Sequence, residues 1–209
     1  MPEKTAFATF LVAALMLNLA PGPDMLYVIG RSLGQGRRAG VLSALGIFTG
    51  CLVHIVAAAV GIAALLRSSP VAFDVVRYAG AGYLIYLGVR MLANKPQLPA
   101  DANLPPQPLH RIFYQGVITN ILNPKVAMFF LAFLPQFVDP GRGSVAAQIV
   151  LLGMIFDIGG ALVNLCIALA AGTLGDRIRG SHRTANLQRW LAGSVFLALG
   201  ARLALARRA

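Results

Sequence analysis

The chain has 209 residues, 57% of them hydrophobic and 12% charged, with a mean hydropathy of +0.72. A soluble domain carries roughly 25% charged residues, so these proportions exclude one and predict an integral membrane protein. The formal net charge of +11 would suggest nucleic acid in a soluble chain. Here the cations are spread over short segments between apolar runs, where charge sets membrane orientation, and nucleic acid is excluded as a partner.

Six helices are predicted in chain order. Helix 1 covers residues 6–29 and holds Pro21-Gly22-Pro23-Asp24 inside it. Lys4 and the apolar run to Ala20 superficially fit a cleaved signal peptide. The run continues through Met25-Leu26-Tyr27-Val28-Ile29, however, and the cationic cluster Arg31, Arg37 and Arg38 follows rather than precedes it. The segment is therefore expected to be retained. Helix 2 covers residues 41–66, with His54 its only titratable group besides Cys51, and helix 3 covers residues 71–92. Residues 94–110 contain Pro96, Pro99, Pro105, Pro106 and Pro108, too many prolines for a helix, and form an extended linker. Helix 4 covers residues 112–138, holds Asn123-Pro124-Lys125, and ends at the turn Asp139-Pro140-Gly141. Helix 5 covers residues 144–174 with Asp157 as its only charge, and helix 6 covers residues 187–206.

Several of these runs exceed the ~18 apolar residues that span a bilayer. Helices 3 and 6 are shorter between their charges. Arg77 and Arg90 in one, and Arg189 and Arg202 in the other, bound a rise of ~18 Å against a hydrocarbon core of ~30 Å. Those arginines must snorkel, or the helices must lie against protein more than lipid. Tyr78, Tyr83 and Trp190 are expected at the interfaces, with Tyr83 and Tyr86 open to a deeper place.

The second half repeats the first at an offset of about 102 residues. Asn18 meets Asn120, Pro21 meets Pro124, Asp24 meets Lys125, and His54 meets Asp157. Three helices per half is an odd number, so consecutive copies face opposite ways across the membrane. The predicted fold is thus all-α, a polytopic membrane protein of six transmembrane helices in two inverted three-helix repeats, with helices 1 and 4 broken by proline. The first repeat is residues 1–93, the linker 94–110 and the second repeat 111–209. Arg31, Arg37, Arg38, Arg90, Lys95, Arg111, Arg177, Arg179, Arg183 and Arg189 fall on the linker's face of the membrane, against Arg67, Arg77 and Arg142 in the loops of the other. Lysine and arginine accumulate on the cytoplasmic side, which puts the linker in the cytoplasm and both termini in the periplasm. Lys4, Arg202, Arg207 and Arg208 at the termini oppose that bias.

A charge at bilayer depth is costly and is usually retained for a ligand or ion pathway. Asp24 and Lys125 are each the lone charge of a proline-broken apolar stretch, and interruptions at matching places in two halves point to a midplane transport site. The half-helices that start there present N-terminal amides suited to a carboxylate. Lys125 adds a cation and Asp24 can answer an ammonium. Asn18, Asn120 and Asn123 offer neutral donors and acceptors. One acid, one base and helix N-termini complement a zwitterion, hence an amino acid. The candidate substrate site is Asn18, Pro21, Gly22, Pro23, Asp24, Asn120, Asn123, Pro124 and Lys125. Asp24, His54 and Asp157 are the candidates for proton coupling. Three blander readings compete: proline-kinked helices with snorkelling charges, an Asp24–Lys125 pair kept for structure, and a hydrogen bond between His54 and Asp157. The Gly-x3-Gly spacings at Gly30/Gly34, Gly36/Gly40 and Gly46/Gly50 read as close helix packing, which permits a homodimer without requiring one.

Asn18-Leu-Ala-Pro-Gly-Pro-Asp24 after an apolar helix resembles the signature of the LysE/RhtB family of amino-acid exporters. Gly46-x3-Gly50 with His54, Gly80-Ala-Gly-Tyr-Leu-Ile-Tyr-Leu-Gly88, and Gly116-x3-Asn120-x2-Asn123-Pro124-Lys125 through Leu134-Pro135-Gln136-Phe137 are similar to further blocks of that family. Beyond helix 5 the likeness thins, and Asp157 belongs to no matching motif. The resemblance implies efflux of amino acids or close derivatives through the bacterial inner membrane, driven by the proton motive force, with no cofactor and no enzymatic step. Two rivals come from other classes. A membrane thiol–disulfide relay could use Cys51 and Cys166, but neither lies in Cys-x-x-Cys nor near a group that would activate a thiol, and buried inert thiols are expected. A metal-ion exporter would want more ligands than one histidine and two aspartates at midplane.

Overall fold

Proline decides where the helices stop. In a computed structural model, residues 4–68, 70–93, 106–178 and 182–205 are described. Helix α1 (Lys4–Leu19) ends where Pro21 has no N–H to give the Leu17 carbonyl four residues back. The chain restarts as α2 (Pro23–Ser68) with Pro23 in the first helical position, where no N–H is needed. The second half uses the same device. Helix α4 (Leu109–Ile121) stops, Asn123 caps the next helix by accepting from the Lys125 amide at 3.0 Å, and α5 (Pro124–Met128) begins on its proline. The axis bends by 43° across that break. Between the two halves lies α3 (Pro70–Ala93), and the chain closes with α6 (Val145–Ile178) and α7 (His182–Leu205).

Two departures from expectation have local causes. Residues 31–40 were expected to connect two helices, yet helical geometry holds on both sides of a single break at Gly36 (φ 80°, ψ −178°). That backbone region is open essentially to glycine alone. So Gly36 serves the break rather than packing, and nothing lies within 4 Å of where its Cβ would be. Arg31, counted as a loop cation, is a buried helical residue at 4% exposure. Helix 4, expected to run on to residue 138, changes type after α5. A π turn spans Phe129–Phe133 and a 3-10 turn spans Leu134–Phe137. Pro135 cannot bond the Leu131 carbonyl, so the coil widens before it and tightens across it. Gln136 Nε2 then covers the carbonyls of Ala132 and Phe133, both at 3.2 Å. The expected turn at Asp139-Pro140-Gly141 is present, held by the Asp139 carboxylate on the Gly141 amide and on Arg142.

The proline-broken segments pack inward. Phe10 of α1, Phe129, Phe130, Phe133 and Phe137 after the α4–α5 break, and Phe156 of α6 form one buried aromatic block, with Phe129 and Phe156 stacked at 4.0 Å. Helix α2 packs along α4 and α6, and α3 along α7. Glycine permits the first contact: a Cβ at Gly46 would strike the Phe113 carbonyl, and one at Gly50 would come 2.6 Å from that of Val117. The Gly46-x3-Gly50 face is thereby used within the chain. Outward-facing Val12, Val56, Val60, Leu122 and Leu162 are more than half exposed, an apolar surface that suits lipid. Among the described residues, Pro23–Gly61 and Val145–Ala171 are each long and apolar enough to cross a membrane, with mean hydropathy 2.1, and the bent pair Leu109–Ile121 and Pro124–Phe137 makes a third candidate. Most of the linker, residues 94–105, lies outside the described residues, and its last two positions, Leu109 and His110, belong to α4.

Candidate functional site

The Leu17 carbonyl, which loses its i+4 donor to Pro21 and keeps only a long bond of 3.2 Å from the Ala20 amide, is found by Lys125. Its Nζ donates to Leu17 O at 3.1 Å and to Ala20 O at 3.0 Å. The ammonium therefore sits at the C-terminal end of α1, where the helix dipole favours a cation. Gly22 makes room for it, since a Cβ there would lie 3.2 Å from Nζ. Asp24 is held separately, its Oδ2 accepting from Asn120 Nδ2 at 2.8 Å. The two charges share one site, but their hydrogen bonds go to different partners. A simple Asp24–Lys125 pair is not the arrangement.

Asn18, in the last turn of α1, donates from Nδ2 to the Phe156 carbonyl at 3.0 Å and lies against Gly159 and Gly160 of α6. Asp157 is the neighbouring residue on α6 and is 3% exposed. Together these side chains enclose a cavity of about 30 Å³ lined by Asn18, Asp24, Met25, Ile47, Cys51, Asn120, Lys125, Val126, Phe156, Asp157, Gly160 and Asn164. That is room for a water or two. Both helix breaks open onto it, because Asp24 and Met25 start α2 and Lys125 and Val126 start α5. Asp24 Oδ1, Asn120 Oδ1 and Asp157 Oδ2 are buried without a hydrogen-bond partner. These three acceptors belong to lining residues and suit an occupant that brings donors.

Of the residues singled out in the sequence, Asn18, Asp24, Asn120, Lys125 and Asp157 converge on this cavity. Pro21, Pro23 and Pro124 make the breaks, and Asn123 caps α5. His54 does not line the cavity. Its Nε2 donates to the Asn120 carbonyl at 3.1 Å and its ring stacks on Phe130. No hydrogen bond joins His54 to Asp157. The sequence reading missed Gly160 and Asn164, whose signal is their spacing of three and seven residues from Asp157 on one helix face. Cys51 is buried in the cavity wall, whereas Cys166 is exposed on α6, against the expectation that both would be buried. Among the described residues no group of three His, Cys, Asp or Glu side chains is placed to hold a metal ion.

The profile of the LysE type translocator family matches residues 15–207. The chain is 32% identical over 201 residues to a leucine efflux protein of Salmonella typhimurium, covering 94% of this chain and 93% of the relative. It is 30% identical over 199 residues to a leucine efflux protein of Klebsiella pneumoniae, with 95% and 94% covered. A third relative is an uncharacterised membrane protein of Pseudomonas aeruginosa, 32% identical over 208 residues, with 97% and 96% covered. No solved structure matches. Likeness along nearly the whole chain, joined to a polar cavity between proline-broken apolar helices, makes this a transporter rather than an enzyme, and the chain belongs to the LysE type translocator family.

Proposed function

We propose that the chain exports leucine or similar amino acids across the bacterial inner membrane by proton antiport. One observation carries the reading: the cavity that joins both helix breaks is lined by one cation, two carboxylates and unpartnered acceptor oxygens deep in an apolar core. An amino acid supplies the complement. Its ammonium has three donors for Asp24, Asn120 and Asp157, and its carboxylate suits Lys125 and the half-helix amides. The two relatives named as leucine efflux proteins favour that cargo. The fold belongs with this proposal as two three-helix repeats of inverted topology, since matched breaks at residues 20–22 and 122–123 suit that architecture. The cavity is far smaller than an amino acid, so binding requires α1, α2 and α5 to part, as alternating access demands.

Asp157 is a better candidate than His54 for the coupling proton because it lines the cavity, where a proton and an ammonium would compete for the same oxygens. The test is transport of L-leucine by purified protein in proteoliposomes, with and without an imposed pH gradient. Leucine movement that accelerates with the gradient and is lost in Asp24→Asn supports the proposal. Movement indifferent to the gradient removes the proton drive, and no movement of any amino acid removes the export reading.

A further inference from the structure

A second cation is buried outside the cavity. Arg31 lies seven residues beyond Asp24 on α2, a rise of roughly 10 Å, and among the described residues it has no acidic partner. Its Nη1 donates to Gln35 Oε1 at 3.0 Å and its Nη2 to Gln115 Oε1 at 2.9 Å. The guanidinium sits 5.7 Å from the centre of the Tyr27 ring, and its Nε is buried without a partner. A buried cation answered only by neutral amides is left without a compensating charge.

These contacts form part of a longer seam. Asp24, Tyr27, Arg31 and Gln35 recur at three- and four-residue steps and so share one face of the first segment of α2. Asp24, Tyr27 and Arg31 meet α4, and Gln35 meets a residue two positions before it. Asp24 is bonded to Asn120, Tyr27 to the Ile112 carbonyl at 2.7 Å, Arg31 to Gln115, and Gln35 to the Gln107 carbonyl at 2.9 Å. The seam spans the distance from the central cavity to the end of the linker. Polar groups at depth between apolar helices are expensive and mark a pathway.

Resting on the export reading, we propose that Arg31 is a second, carboxylate-binding site on the route between the linker end of α4 and the cavity. Gln115 holds its place there as a neutral stand-in that the cargo's carboxylate displaces. The guanidinium fork takes a carboxylate through two parallel charge-assisted bonds, which the Gln35 and Gln115 oxygens imitate without charge. A competing role exists: Arg31 precedes the break at Gly36 by five residues, where a cation also offsets a helix C-terminus.

The two roles separate in a comparison of wild type, Arg31→Lys and Gln115→Glu, scored for leucine transport kinetics in proteoliposomes and for unfolding midpoint in detergent. Gln115→Glu fixes a permanent carboxylate on the guanidinium. It should raise the midpoint by a few degrees yet raise the half-saturating leucine concentration about tenfold. Arg31→Lys keeps the charge and loses the fork, so half-saturation should rise by a similar factor with maximal rate within about twofold. A purely structural arginine differs in the transport readout: Gln115→Glu stabilises yet transports leucine as well as wild type, and Arg31→Lys lowers the midpoint without moving half-saturation. Either of those results overturns the proposal. Wild-type protein that moves no leucine defeats the export reading itself, before any variant is compared, and this site falls with it.

Discussion

Lys125 and Pro21 are coupled by one carbonyl. The proline strips Leu17 O of its i+4 donor and the ammonium joins the long Ala20 amide bond there, so part of the lysine's contribution is to hold the break in α1. Hydrogen bonds to charged groups contribute roughly 1.5–3 kcal/mol, and Lys125→Gln should destabilise the protein by about that much in thermal unfolding. Pro21→Ala returns an N–H to Leu17 O. It should recover part of the loss in the double variant while leaving export abolished, because the cavity still lacks its cation. Strictly additive effects of the two substitutions would show that the carbonyl does not link them. The partners of His54 and Asp157 separate these two residues as well. His54→Gln should cost about 1 kcal/mol through the Asn120 carbonyl and keep the response to a pH gradient. Asp157→Asn should lose that response. If the histidine variant alone loses it, the coupling proton passes through His54.

At the scale of elements, glycine does two different things in α2. Gly36 is needed for its backbone angles, so Gly36→Ala should cost about 1–3 kcal/mol in unfolding free energy. Gly46 is needed for space, and Gly46→Ala should destabilise by about 1–3 kcal/mol because the obstruction is the Phe113 backbone. Gly61, with open space around it and ordinary helical geometry, is the control. There alanine should be neutral or stabilise by up to about 1 kcal/mol. Equal losses at all three sites would refute the distinction. The same contrast explains what was legible. Pro21, Pro23, Pro124 and the Asn123 cap are written as residue types with few conformational options, so both breaks could be placed within a residue. The Gly36 break was hidden because a Gly-x3-Gly spacing looks the same whether it serves packing or a kink. Arg31 was misread for a related reason: next to Arg37 and Arg38 it looks like a loop cation, and only the facing α4 reveals it as buried. Convergence of Asp157 with Asn18 and Asp24 depends on how α6 packs, which no local pattern encodes.

For the whole molecule, burial of Arg31 lowers the cation count on the linker's face but leaves that face the richer one. With that residue withdrawn, it keeps Arg37, Arg38, Arg90, Lys95, Arg111, Arg177, Arg179, Arg183 and Arg189, still well ahead of Arg67, Arg77 and Arg142. Loop cations near helix ends resist translocation far more than they respond to the overall net charge. The excess therefore predicts a cytoplasmic linker, and the six spans proposed above would then carry both termini to the periplasm. The opposing cations Arg202, Arg207 and Arg208 cluster at the C-terminus, so that end is the sensitive place to test. A reporter active only in the periplasm, fused after Ala209, should be active, and one that works only in the cytoplasm should be silent there. Inserted between Pro99 and Ala100, the two reporters should give the opposite result. A cytoplasmic signal from both positions would mean an odd number of crossings after the linker is wrong, and with it the inverted three-helix repeat. Signals exchanged between the two positions would keep the repeat and reverse the orientation, so that the Arg31 seam would open toward the periplasm.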